Sequence, residues 1–184
     1  MGMRLTSTKS DTAYEQVIYG KGAWIMHMLR EMLRQPNTPN PDARFIALLK
    51  SLLTKYAQKG LTTAQFQREV EAVMTPKMDL EGGRSMEWFF SEYVQGTAIP
   101  HYKVNFSSHR TDKGYQVRGK LLASGVPHSF IAPVPLYVSS GSGRGVFLGT
   151  VIATGEETPF SFSTQTDPRK LQIDPHMTLL CVTE

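Results

Sequence analysis

A single cysteine, Cys181, leaves no partner for an internal disulfide and no set of thiols for a multi-cysteine zinc site. It stands in the apolar stretch Leu179-Leu180-Cys181-Val182, where a buried structural thiol is the expected role rather than a nucleophile. No apolar run approaches the ~20 residues that a membrane-crossing helix needs. The opening Met1-Gly2-Met3-Arg4 turns polar with no apolar signal core, so a soluble chain is expected and its compartment stays unknown. The doubled methionine marks residues 1–11 as a disordered or added leader, with any signal peptide lost upstream. His-Glu-x-x-His, Cys-x-x-Cys, Gly-x-Ser-x-Gly and a Walker phosphate loop are all missing. The five histidines (His27, His101, His109, His128 and His176) lie far apart in the chain. His27 and Glu31 can share a helix face, but two ligands do not make a stable zinc site, and an exposed helix pair is the expected reading. Charge of one sign is not concentrated either. Residues 1–100 carry twelve Lys/Arg against ten Asp/Glu, and residues 101–184 carry eight against six. Nucleic-acid binding would call for a basic stripe that this even distribution does not supply.

What is present divides near Pro100. From about Thr12 to Gln35, Ile18, Gly22, Ile25, Leu29 and Met32 recur at helical spacing, and Pro36 stops the run. After a Pro/Asn-rich loop over Pro36–Pro41, Phe45, Leu48, Leu49, Leu52, Leu53 and Tyr56 trace one face of an amphipathic helix, with Gly60 as its expected end. Thr62 and Gln65 form a candidate capping box for a third helix carrying Phe66, Val70 and Val73. A fourth helix is expected from about Ser85 to Gly96, with Trp88, Phe89 and Tyr93 as core aromatics. Beyond Pro100 the pattern alternates. Strands are expected at Tyr102–Phe106, at Tyr115–Val117 beyond a turn at Asp112-Lys113-Gly114, and at Val134–Ser139, Val146–Ala153, Pro159–Ser163, Lys170–Ile173 and Met177–Val182. Gly141-Ser142-Gly143-Arg144-Gly145 falls between two of them, which favours a hairpin loop over a phosphate cradle.

The expected architecture is α+β in two segments: an all-α helical layer over 12–100, then an antiparallel, immunoglobulin-like β-sandwich over 101–184. The helices carry more apolar residues than four short elements bury among themselves, which implies a missing partner surface. A second copy of the chain, dimerising through that exposed helical face, is one candidate occupant.

Two glycines inside an otherwise good helix, in Tyr19-Gly20-Lys21-Gly22-Ala23, each disfavour the helix by about 0.5–1 kcal/mol relative to alanine. Such glycines admit a close neighbour. Tight packing of another helix is the commoner reason; the other is a helix shaped to present Tyr19 to a site.

The stretch Tyr19 to Arg30 resembles the Tyr-x-Lys-Gly-Ala segment of the aminopeptidase N and leukotriene hydrolase family of gluzincin metallopeptidases. Further landmarks follow in that family's order: the Leu-rich helix with Phe45, then Thr62–Phe66, then Trp88-Phe89-Phe90, then Gly96-Thr97-Ala98-Ile99-Pro100 leading into His101–Val104. The match covers about residues 12–106; the strands beyond agree in kind without a specific motif. The resemblance implies that Tyr19 is the tyrosine whose phenol donates a hydrogen bond to the oxyanion formed when water attacks the scissile carbonyl. It also implies that the zinc ligands and the general-base glutamate belong to an upstream catalytic domain. This chain would then hold no cofactor of its own, and the zinc and the peptide substrate would belong to the longer parent. Gly20 stands where that family commonly has glutamate. The alternative from a different class is a non-catalytic interaction or scaffold module.

Overall fold

The structure is a computed structural model that describes residues 19–141 and 145–184. The leader over 1–11, the start of the first expected helix (12–18) and the middle of the glycine-rich loop (142–144) lie outside the described residues. The chain forms two compact units, the first ending at Met78 and the second spanning Asp79–Glu184.

In the first unit, a π-helical turn over residues 19–21 leads into helix α1, Gly22–Leu33. Ile25, Met28, Leu29 and Leu33 are its buried residues, spaced to fall on one face. Helix α2, Ala43–Tyr56, ends earlier than its nearest glycine would suggest, because Gln58 adopts the left-handed conformation (φ 59°) in place of Gly60. Helix α3, Thr63–Val73, opens on the expected capping box: the Gln65 N–H donates to Thr62 Oγ1 at 3.2 Å and the Thr62 N–H donates to Gln65 Oε1 at 2.8 Å. Arg30 reaches Asp42 at 2.6 Å, and Glu69 takes both Lys55 Nζ at 2.7 Å and Tyr56 Oη at 3.2 Å. These solvent-screened pairs fix geometry more than they stabilise. Of the apolar face of α2 only Leu48 is fully buried, while Ile46 is 40% and Leu53 73% exposed. A 3₁₀ turn, Pro76–Met78, closes the unit.

The second unit holds the fourth helix as well as the strands. Helix α4 is one α-turn, Glu87–Phe89, that widens into a π-helix over Phe90–Gln95. Its end is set by Gly96, whose N–H reaches back five residues to the Ser91 carbonyl at 2.9 Å. A Cβ at Gly96 would fall 2.2 Å from the Glu92 carbonyl oxygen, so the glycine of the Gly-Thr-x-x-Pro landmark is required by close approach of the chain to its own helix. Gly96→Ala is expected to destabilise the unit by about 1–3 kcal/mol, the usual range for forced overpacking. Urea unfolding at constant m-value is the measurement; an unchanged midpoint would refute the contact.

Seven strands follow in two sheets, ordered β5-β2-β1-β7 and β4-β3-β6. Strands β1 (His101–Thr111) and β2 (Gly114–Ser124) form a long hairpin through Asp112-Lys113, and β5 (Glu157–Thr164) pairs with β2. In the other sheet, β3 (Ile131–Ser139) lies between β4 (Val146–Thr154) and β6 (Lys170–Ile173), antiparallel to both. The glycine-rich segment does join two paired strands, β3 and β4. Alternate residues are buried in each sheet: Val117, Leu121 and Ala123 in one, and Ala132, Val134, Leu136, Val138, Val151 and Ala153 in the other. Gly149 of β4 sits so close to the Phe162 ring of β5 that a Cβ there would fall 2.4 Å from it.

Two expectations change. The last strand, β7, is only Val182–Thr183, not Met177–Val182, and it runs parallel to β1, so the pairing is not wholly antiparallel. The cause is Asp174, a buried carboxylate that accepts the Thr178 N–H (2.9 Å), the Thr178 hydroxyl (2.8 Å) and the Leu179 N–H (2.8 Å). Donors gathered on one side chain cannot also join a ladder, and positive φ at Asp174 and Met177 turns the chain instead.

Candidate functional site

Tyr19 sits in the π-helical turn that precedes α1 and is 66% exposed. The next residues fall into place through the helix they begin. Ile25, Met28 and Leu29 turn inward, while Trp24 and His27 meet edge to face at 5.7 Å between ring centres. Partial burial lowers the Lys21 ammonium pKa. Glu31 is held by Arg30 and Arg34, both at 3.3 Å, and no ion pair between Glu31 and His27 is formed among the described residues. Among the described residues, no three His, Cys, Asp or Glu side chains converge to hold a metal ion. The described residues on their own therefore do not fit a zinc site.

The second unit contains a feature that sequence reasoning missed. A cavity of about 430 Å³ is lined by Glu81, Glu87, Trp88, Glu92, Pro127 and Phe130, among others. Trp88 and Phe130 are its aromatic lining residues; Phe89, Phe90 and Tyr93 are buried beside it without lining it, and Tyr93 meets Phe130 at 5.4 Å. Glu92 Oε1 accepts the Ile131 N–H at 2.8 Å, joining the π-helix to the first residue of β3. Its Oε2 is buried and accepts no hydrogen bond from the described residues. Desolvation raises the Glu92 pKa to about 7; the Ile131 hydrogen bond opposes the shift, and the nearby Glu81 charge adds to it. The one legible sign was a carboxylate four residues after Trp88 and directly before Tyr93, on a helix otherwise read as aromatic core.

Cys181 is half-buried, and burial, with the Asp174 carboxylate adding to it, pushes its thiol up to about 12. Such a thiol is poorly suited to nucleophilic chemistry at neutral pH. Burial likewise drives the phenols of Tyr93 and Tyr102 far above their ordinary range. Among the described residues, no helix is long and apolar enough to cross a membrane.

No protein-family model matches the sequence, and no curated protein matches it. Among solved structures, the chain is similar to Legionella pneumophila aminopeptidase A in complex with aspartic acid, with a TM-score of 0.65 and 16% identity. That match covers 93% of this chain but only 18% of the Legionella chain, so the likeness is one of fold, to a small portion of a much longer polypeptide.

Proposed function

We propose that this chain serves as the C-terminal portion of a zinc-dependent aminopeptidase, downstream of the metal-binding segment. In this reading Tyr19 supplies the oxyanion-stabilising hydrogen bond, and the two sheets form an immunoglobulin-like sandwich that serves as a buttress in the parent. The observation that carries the reading is the fold likeness over 93% of the chain to a segment making up 18% of an aminopeptidase. The order of the sequence landmarks from Tyr19 to Pro100 supports it independently. A phenol suits the role chemically: it remains a neutral donor at pH 7 and is carried on a stiff side chain. The upstream catalytic domain would supply zinc, the general base and recognition of the substrate's terminal amine. The exposed Ile46 and Leu53 of α2 are where that domain would dock. The same exposed residues favour the second reading, an interaction or scaffold module, in which a partner protein or a second copy of the chain covers them.

Metal analysis and hydrolysis of aminoacyl-coumarin amides separate the readings. The 184-residue chain is expected to carry no stoichiometric zinc and to be inactive, whereas a polypeptide that also includes the upstream segment is expected to have both zinc and activity. Tight one-to-one zinc in the short chain would overturn the account of a metal site lying upstream. Inactivity of both would put the scaffold reading ahead.

A further inference from the structure

The Glu92–Ile131 contact joins elements that are far apart in the sequence, and it does so with a carboxyl group that is only half satisfied. Oε1 accepts the Ile131 N–H, while Oε2 is buried without a donor among the described residues. A neutral carboxyl, whose Oε2 would carry an O–H lacking only an acceptor, bears that arrangement at lower cost. A carboxylate does not, because its charge is spread over both oxygens and one of them lacks compensation. Among the described residues that line the cavity, none is a lysine or arginine. Glu81 and Glu87 line the same cavity, and Tyr93 of the π-helix and Tyr102 of β1 are the other titratable groups that interact with Glu92. Cys181, from the C-terminal segment, is near enough to influence both tyrosines electrostatically. All of these groups are neutral or acidic. The attachment point is itself unusual: a π-helix of six residues, a geometry that is rare and recurs where a side chain must be aimed.

We propose that Glu92 is a proton-operated clasp, closed while its carboxyl is neutral and loosened on ionisation, which releases the end of the π-helix from the start of β3. The Ile131 N–H favours the ionised form, but it serves only one oxygen, and the desolvation of the group as a whole outweighs it. The sign follows from linkage. The folded-state pKa, about 7, is raised above the ordinary 4.5, so the folded chain holds a proton that the unfolded chain has already lost. The stabilisation is fully present below about pH 4.5, declines as pH rises, and is lost above about pH 7.

The first test needs no variant: carboxyl ¹³C NMR of Glu92 in the intact chain should show a midpoint between about 6 and 8. A midpoint in the ordinary carboxylate range overturns the clasp. The second is amide exchange at Ile131, corrected for intrinsic rate. Its protection should fall at least about tenfold from pH 5 to pH 8, a modest figure because Glu92 is only partly buried. Glu92→Gln keeps an acceptor for Ile131 without the charge, so its protection should not change over the same range. Protection that is flat in the native chain, or that falls equally in Glu92→Gln, overturns the proposal.

Discussion

Tyr19→Phe, made in the zinc-loaded polypeptide that contains this segment, is expected to lower kcat about 10²–10³-fold with KM little changed. The substitution removes one hydroxyl and nothing else. A donor that engages only the developing oxyanion contributes to the transition state and not to substrate binding, which is why the loss should appear in kcat. The location of Tyr19 gives the experiment its control. Tyr19 is 66% exposed in this chain, and Tyr19→Phe keeps the ring and removes only the hydroxyl, so the variant should unfold at nearly the same urea concentration as its parent. A kcat reduced less than about threefold would remove Tyr19 from the chemistry and would favour the scaffold reading. A large fall in stability along with kcat would make the tyrosine structural instead.

The second large effect is in the core. Phe89→Ala is expected to destabilise the second unit by about 3–5 kcal/mol, a substantial share of the ~5–15 kcal/mol that holds a typical domain together. Phe89 is fully buried, and its ring lies 5.7 Å from Trp88, 5.6 Å from Phe90 and 5.8 Å from Tyr93. Truncation would leave a ring-sized void among side chains that are themselves rigid, so little of the loss can be recovered by collapse. Trp88 lies in this unit and Trp24 in the other, so denaturation followed in a Trp24→Phe background reads the affected unit alone. A loss under about 1 kcal/mol would show that the aromatic cluster repacks around the gap.

How far the sequence foretold these sites depends on the range of the forces involved. The capping box at Thr62 was legible because both of its side chains and both of its amides lie within four residues. The hairpin at Asp112-Lys113 and the aromatic burial at Trp88, Phe89 and Tyr93 were legible for a similar reason, since local turn chemistry and apolar density settle them. The π-helix was not. Passing from four-residue to five-residue hydrogen bonds alters no composition, and only the close approach of Gly96 to Glu92 betrays it. Met177–Val182 looked like a strand because its apolar residues suit one, but three hydrogen bonds to Asp174 took precedence over that preference. Glu92 was invisible as a site because its partner is Ile131, on a distant strand. Tyr19 was singled out through the family resemblance and the glycines around it, and its role rests on that resemblance.

The contact between Gly149 and Phe162 bears on how such a chain can change over evolutionary time. The two residues belong to different strands, yet the ring occupies the space a side chain at position 149 would need. The two positions are coupled: a larger residue at 149 needs the partly buried Phe162 ring to shift or shrink. What is inherited at this contact is a combined volume, not two separate residues.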